Sequence, residues 1–255
     1  MMKRSKVLER RIDKAIEEKS NLLNNVDRAD SLKIIPLESR KNPLVLAERL
    51  QIKYDSNAIF NPVSFEVNNG DRVALVGKNG AGKSSILKLI LEKSSTGNEN
   101  ILQPTGNTNN LALVEKAEYT GTLKVANDLK ISYISQSTEY LKGNLKEFAK
   151  KYEVEESIFK AMLVKMGFSN SEFDKDINQM SEGQKKKILI AKSISEQANF
   201  YIWDEPLNYI DILTRIQIEE AILKYKPTLI FVEHDETFIK KISTKVIELK
   251  KNIDI

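Results

Sequence analysis

Eight consecutive residues, Gly77-Lys78-Asn79-Gly80-Ala81-Gly82-Lys83-Ser84, place glycines, a lysine and a hydroxyl at G-x-x-x-x-G-K-S spacing. Glycine backbones can wrap a phosphate chain without Cβ clashes, and their N–H groups then point inward. A helix starting at this point would add positive potential at its N-terminus. In such a P-loop Lys83 is expected to reach the β- and γ-phosphates of a nucleotide, and the Ser84 hydroxyl to ligate Mg²⁺.

A second segment, Phe200-Tyr201-Ile202-Trp203-Asp204-Glu205, is an apolar run ending in two acids. On a parallel strand it would deliver both carboxylates to the edge where ligands of α/β folds collect. Asp204 is placed to hold Mg²⁺ through water, and Glu205 to orient or deprotonate an attacking water. The chain's one histidine, His234, follows the apolar run Thr228–Val232. From another strand end it could bond a γ-phosphate oxygen and the same water. Gln136 closes Ile131-Ser132-Tyr133-Ile134-Ser135-Gln136 and could reach metal and water from a loop. Ser181-Glu182-Gly183-Gln184 precedes three lysines and reads as the anion-binding start of a helix. Taken singly, the Asp-Glu pair reads as a solvated turn, His234 as an ordinary imidazole and Ser181 as a helix cap; the context of the P-loop favours chemistry.

The elements around these residues must position them. Leu44–Tyr54, Pro62–Val67, Arg72–Val76, Phe200–Trp203 and Thr228–Val232 read as strands. Ser84–Lys93, Lys185–Glu196 and Thr214–Lys224 read as helices, the first burying Ile86, Leu87, Ile90 and Leu91. Residues 137–180 look mostly helical, with Leu145, Phe148, Ile158, Leu163 and Met166 as core, whereas 94–130 reads as loops between weak strands. Strands alternating with helices predict an α/β fold on a largely parallel sheet. Residues 1 to about 30 carry Leu8, Ile12, Ala15, Ile16, Leu22, Leu23 and Val26 at helical spacing among charges, which predicts an amphipathic helix wanting a partner surface. Pro36 and Pro43 bracket a linker, placing the boundary at 43/44.

The chain has 255 residues, 41% of them hydrophobic and 30% charged, which allows one large domain or two small ones. It has no cysteine, so no disulfide can form, and no apolar run approaches the roughly 18–20 residues of a membrane-spanning helix. A net charge of +4 would assist binding to RNA without establishing it.

In this order the motifs resemble the nucleotide-binding domains of ABC proteins: P-loop, Gln loop, signature loop, Walker B acids and switch histidine, over roughly 44–255. The resemblance implies a P-loop ABC-type fold: a mixed sheet core, a small antiparallel β region and a helical subdomain at about 137–185. It implies ATP and Mg²⁺ as cofactors, with nucleotide contacts from Tyr54 (stacking on adenine), Gly77, Asn79, Gly80, Gly82, Lys83, Ser84 and Ser85. Ser84, Asp204 and Gln136 would serve the metal; Glu205, His234 and Gln136 would be catalytic. Ser181, Gly183 and Gln184 would press on ATP held by a facing domain, so that two ATPs are sandwiched between two domains. Asn208-Tyr209-Ile210-Asp211 matches the D-loop that crosses this interface. Two features depart from the family pattern. Glu182 stands where glycine is commoner, and the D-loop keeps its aspartate but lacks the usual Ser-x-Leu-Asp character.

Trp203–Asp211, together with Ser181–Lys187, is further similar to the second cassette of the antibiotic-resistance group of the ABC-F branch, soluble twin-cassette proteins that act on the ribosome. Residues 1–43 would then be the distal part of the interdomain linker helix and its connection, and the chain the C-terminal half of a cytoplasmic protein near twice its length. The partners implied are a second ABC domain, from the N-terminal half of the same parent or a self-dimer, and the ribosome with its rRNA, without membrane insertion. Resistance to lincosamides, streptogramin A or pleuromutilins would follow. The ATPase subunit of a membrane transporter and a non-catalytic ATP-gated dimerisation module are the alternatives. Intact Lys83, Glu205 and His234 speak against the module.

Overall fold

The computed structural model describes residues 31–54, 57–95 and 117–251. The helix expected over residues 1–30 lies outside them.

Two sheets divide the strands by direction. The antiparallel sheet is built on β1 (Val45–Tyr54), which pairs on one side with β2 (Asn57–Ala58) and β3 (Val63–Val67) and on the other with β5 (Ala117–Val125). The second sheet is wholly parallel, in the order β6 (Ile131–Ile134), β7 (Phe200–Asp204), β8 (Leu229–Val232), β4 (Arg72–Val76), β9 (Lys245–Glu248). β7 and β8 are buried along their whole length, as near-continuous apolar runs at the centre of a parallel sheet must be.

The period-two alternation of these strands serves two cores. Phe200, Ile202, Ile230 and Val232 face a core shared with the antiparallel sheet and with α1 (Lys83–Ser95), whose Ile86, Leu87, Ile90 and Leu91 are buried as expected. Tyr201, Trp203, Leu229 and Phe231 face the other core. That core is closed by α2 (Leu145–Lys151), α3 (Glu156–Lys165), α4 (Glu182–Ser195), α5 (Ile212–Tyr225) and α6 (Glu236–Ile242).

Several expectations need correction. Residues 137–180 are less helical than the apolar spacing predicts: only α2, α3 and two short 3₁₀ turns form. Gly143 and Gly167 take φ of +87° and +88° and interrupt the run. The core assignments there stand, with Leu145, Phe148, Leu163 and Met166 buried and Ile158 packed against them. β5 is a nine-residue strand where weak strands and loops are expected. It pairs with β1 along the full length of that strand. α4 begins at Glu182 rather than Lys185, because Ser181 and Gln184 form a capping box in front of it. The segment expected as linker also packs on the fold. Leu32 and Ile34 are 1% exposed within the helical-side core, and Leu37 N–H donates to Ala198 O at 2.8 Å.

Candidate functional site

Because β6, β7, β8 and β4 run parallel, their carboxyl ends share one edge of the sheet. Gln136 lies two residues beyond β6, Asp204 ends β7 with Glu205 next to it, and His234 lies two residues beyond β8. The P-loop connects β4 to α1. Hydrogen bonding in the sheet thus fixes, to within a strand spacing, four segments that are far apart in sequence.

A cleft of about 710 Å³ opens at this edge, lined by Tyr54, Ile59, residues 79–85, Gln136, Glu205 and His234. That is within the range of small-molecule sites. Of the nucleotide and catalytic residues expected from sequence, Tyr54, Asn79, Gly80, Gly82, Lys83, Ser84, Ser85, Gln136, Glu205 and His234 are together here. Gly77 forms the base of the loop, where Lys83 Nζ donates to its carbonyl at 2.9 Å and to that of Lys78 at 3.2 Å. Gly82 is required sterically as well as conformationally. Its φ is +88°, and a Cβ there would lie 2.5 Å from Ile59 Cδ1 and 2.9 Å from Phe60 Cδ1. Tyr54 Oη lies 3.2 Å from Ser85 Oγ, which fixes the aromatic ring beside the helix start.

Beneath the loop, Ser84 Oγ donates to Asp204 Oδ1 at 3.0 Å. Asp204 is 1% exposed, and burial, reinforced by the charge of Glu205, pushes its carboxyl above the usual range against the pull of the Ser84 bond. A cation at this point would relieve that cost. Among the described residues, no group of three or more His, Cys, Asp or Glu could hold a metal by itself. One hydroxyl and one carboxylate fit Mg²⁺, which takes its remaining ligands from phosphate and water.

Glu205 takes φ of +49°, a left-handed conformation costing a non-glycine residue about 1–3 kcal/mol. The turn carries its carboxylate out of the strand line into a three-way clamp. Gln136 Nε2 donates to Oε2 at 3.0 Å, Asn208 Nδ2 donates to the same oxygen at 2.8 Å, and His234 Nε2 lies 3.1 Å from Oε1. Such a carboxylate, positioned by an amide and an imidazole at a phosphate-binding loop, can orient and deprotonate water.

Ser181, Gly183 and Gln184 are not part of this cleft. They open α4, where Gln184 N–H donates to Ser181 Oγ at 3.2 Å and Ser181 N–H to Gln184 Oε1 at 2.9 Å. Gly183 lies against the following loop, where a Cβ would meet Tyr209 O at 2.6 Å. Asp211 caps α5 through Thr214 N–H at 2.9 Å and pairs with Lys187 at 2.6 Å.

Two polar residues at the site, Glu233 and Lys186, escape the sequence reading, as does the contact of the D-loop residue Asn208 with Glu205. That contact could have been found from the place of Asn208 three residues after Glu205. Glu233 is the first acid after an apolar run. It is 5% exposed, and burial pushes its carboxyl up against the Leu207 and His234 N–H groups it accepts. Lys186 is 2% exposed, and burial lowers its pKa although Asp204, Glu205, Glu233 and Glu182 all act to raise it. Its Nζ donates to Ser135 O at 3.0 Å. Only the alternation of burial on α4 could have signalled it, and three successive lysines obscure that alternation.

Comparison with known proteins agrees with this geometry. Residues 60–208, more than half the chain, match the family described as ABC transporter. The chain is 29% identical over 212 residues to the ATP-binding protein YdiF of Bacillus subtilis, covering 83% of this chain and 30% of that protein. It is 32% identical over 209 residues to ABC transporter F family member 2 of Arabidopsis thaliana, covering 81% and 28%. The chain therefore spans about a third of the length of these relatives. Among solved structures, a bacterial Atm1-family ABC exporter with ATP bound matches with a TM-score of 0.64 at 18% identity, over 94% of this chain and 43% of that one. A chain from the complex of an archaeal ribosomal stalk protein with archaeal ribosome recycling factor aABCE1 matches with a TM-score of 0.59 at 24% identity, over 83% and 38%. Both show the fold. With the P-loop, the paired acids and the imidazole on one sheet edge, the chain belongs to the ABC transporter family and is an ATP-binding domain of it, an ATPase.

Proposed function

We propose that this chain is one cassette of a soluble, cytoplasmic ABC-F protein that clamps on the ribosome in an ATP-dependent manner and protects it from lincosamide, streptogramin A or pleuromutilin antibiotics. The observation that carries the composite site is the placement of Ser181, Gly183 and Gln184 on the start of α4, outside the chain's own cleft. On this reading these residues serve nucleotide bound elsewhere, which calls for a facing cassette, from the same parent protein or a second copy. The ABC-F assignment is supported by the likeness to ABC transporter F family member 2. No helix among the described residues is long and apolar enough to cross a membrane, which is compatible with it. In this arrangement residues 1–43 belong to the connection between cassettes, with Leu32 and Ile34 packing its end onto the cassette core, and 44–255 form the cassette.

The mechanism follows from the clamp on Glu205. The P-loop N–H groups and Lys83 bind the phosphates, and Tyr54 lies against the base. Ser84 and Asp204, with Gln136 nearby, would hold Mg²⁺, which would supply neutralisation of phosphate charge. Glu205 accepts the proton of the attacking water, while His234 holds that water and a γ-phosphate oxygen. As the water oxygen attaches, the bond from the γ-phosphorus to the β–γ bridging oxygen breaks and ADP leaves with phosphate, while Lys83 offsets the charge that builds up in line.

The test is ribosome pelleting with Glu205→Gln protein, its upstream reading frame restored, with and without ATP. ATP-dependent co-sedimentation is expected. Intact ATP binding without co-sedimentation would remove the ribosome from the account and leave a transporter ATPase subunit.

A further inference from the structure

Glu205 is held from both ends of its carboxylate. Asn208 Nδ2 takes Oε2 at 2.8 Å, and His234 Nε2 lies 3.1 Å from Oε1. These two residues come from different loops, after β7 and after β8, and one buried side chain connects the loops. Glu233 Oε1 accepts the N–H of Leu207, the neighbour of Asn208, at 2.8 Å. Glu233 Oε2 accepts the N–H of His234 at 3.2 Å. The bond to Leu207 is fully buried, so water does not compete for it.

We infer that Glu233 is a positioning residue for ATP hydrolysis, which sets two of the three arms of the Glu205 clamp, Asn208 and His234, by tying the backbone of Leu207 to that of His234. The inference rests on Glu205 as the proposed base, and Glu233 itself does not line the cleft. A neutral side chain cannot replace it. Glutamine has one acceptor oxygen and would turn an NH₂ donor toward one of the two N–H groups. Aspartate keeps the charge but is one methylene shorter and cannot span both loops.

The experiment measures steady-state ATP turnover, ATP dependence and thermal unfolding for the full chain and for Glu233→Gln, Glu233→Asp, Glu205→Gln, His234→Ala and Glu233→Gln/His234→Ala. A slackened clamp should lower kcat by about tenfold to a hundredfold, the scale of a misplacement near 1 Å. KM for ATP should stay within about twofold, because the P-loop is untouched. The Glu233→Gln effect should also shrink in the His234→Ala background, since one of its arms is already gone. A residue of merely structural importance would lower the unfolding temperature and leave kcat alone below it. Wild-type kcat in folded Glu233→Gln and Glu233→Asp, with His234→Ala and Glu205→Gln impaired, overturns the inference. Failure of both Glu233 variants to fold assigns the residue to stability and overturns it equally. Full turnover in Glu205→Gln refutes the reading of Glu205 first, and this inference falls with it.

Discussion

Replacing Gly183 by alanine should slow ATP turnover while leaving nucleotide binding to the chain's own P-loop intact. The added Cβ would lie 2.6 Å from Tyr209 O, a backbone atom. Carbon–oxygen contacts settle near 3.3 Å, so the loop or the start of α4 must retreat by about 0.7 Å. Neither gives way freely. Arg215 donates to Leu207 O at 3.0 Å and to Ile210 O at 3.1 Å, Glu233 takes Leu207 N–H, and Asp211 is held by Lys187. On the other side, α4 is fixed by its capping box.

Overpacking of this kind costs about 1–3 kcal/mol. Alanine in place of glycine in a helix returns about 1 kcal/mol. The net loss is therefore about 0–2 kcal/mol, and for a domain of this size each kcal/mol moves Tm by about 2–4 °C. Differential scanning fluorimetry should show a fall of at most about 8 °C. The functional loss should exceed that, because the displaced segment includes Tyr209, which is 75% exposed on the surface proposed to meet the facing cassette. ATP analogue binding and steady-state turnover, both well below Tm, separate the two effects. Wild-type turnover in Gly183→Ala would refute the argument that this contact seats the loop; weakened binding of the analogue would show that the disturbance reaches the P-loop instead.

Three further outcomes are expected. Glu205→Gln should reduce turnover by about 10²–10⁴-fold, the usual range for a general base, with ATP affinity kept; a loss below about tenfold in a single-turnover assay would remove Glu205 from that role. Lys83→Met deletes a buried ammonium held at the loop carbonyls, and affinity for ATP by fluorescence titration should fall about tenfold or more, charge-assisted bonds contributing about 1.5–3 kcal/mol; an unchanged Kd would refute this. Burial would raise the Asp211 carboxyl, but Lys187 and the Thr214 N–H and hydroxyl outweigh it and hold its pKa at about 2, against 3.8 ordinarily. A depressed carboxylate pKa gives stability that is present above the unfolded value and lost as pH falls through the folded one. Asp211→Asn should therefore be less stable than the parent at pH 7, with the difference closing between about pH 4 and 2; its side chain is half exposed, so the effect is modest, and a difference independent of pH in acid unfolding would contradict the assignment.

What could be read from the sequence was what local chemistry dictates. The G-x-x-x-x-G-K-S run, the acids after Phe200–Trp203 and the imidazole after Leu229–Val232 each stand at the end of an apolar strand, and parallel pairing alone suffices to bring them together. β5 was unreadable because its partner β1 lies far away in sequence and Tyr119, Thr120 and Lys124 turn polar or exposed surface outward, so that no apolar alternation marks it. Residues 32–37 were misread for the opposite reason. Pro36 and Pro43 signal a linker locally, yet Leu32 and Ile34 find a groove on the helical-side core that no local pattern can announce. Glu233, Lys186 and the contact of Asn208 with Glu205 are not legible because they satisfy backbone and carboxylate groups supplied by other elements.

Glu182 shows how the departure from the family's commoner glycine acts within the chain. Its carboxylate accepts from Thr138 Oγ1, two residues beyond Gln136, and pairs with Lys185 at 3.0 Å; these bonds, the Thr138 one first, hold its pKa below the ordinary value. Lys186, one turn on, donates to Ser135 O on the other side of Gln136 at 3.0 Å. The start of α4 is thus fastened to both flanks of Gln136, whose amide is itself bonded to Glu205. Glycine at 182 would leave only the Lys186 bond. A movement of α4, whose N-terminus is proposed to contact the facing cassette's nucleotide, must then be felt at the Gln136 loop beside this chain's own nucleotide. Two sites that share no side chain are joined by two hydrogen bonds, and Glu182 supplies one of them.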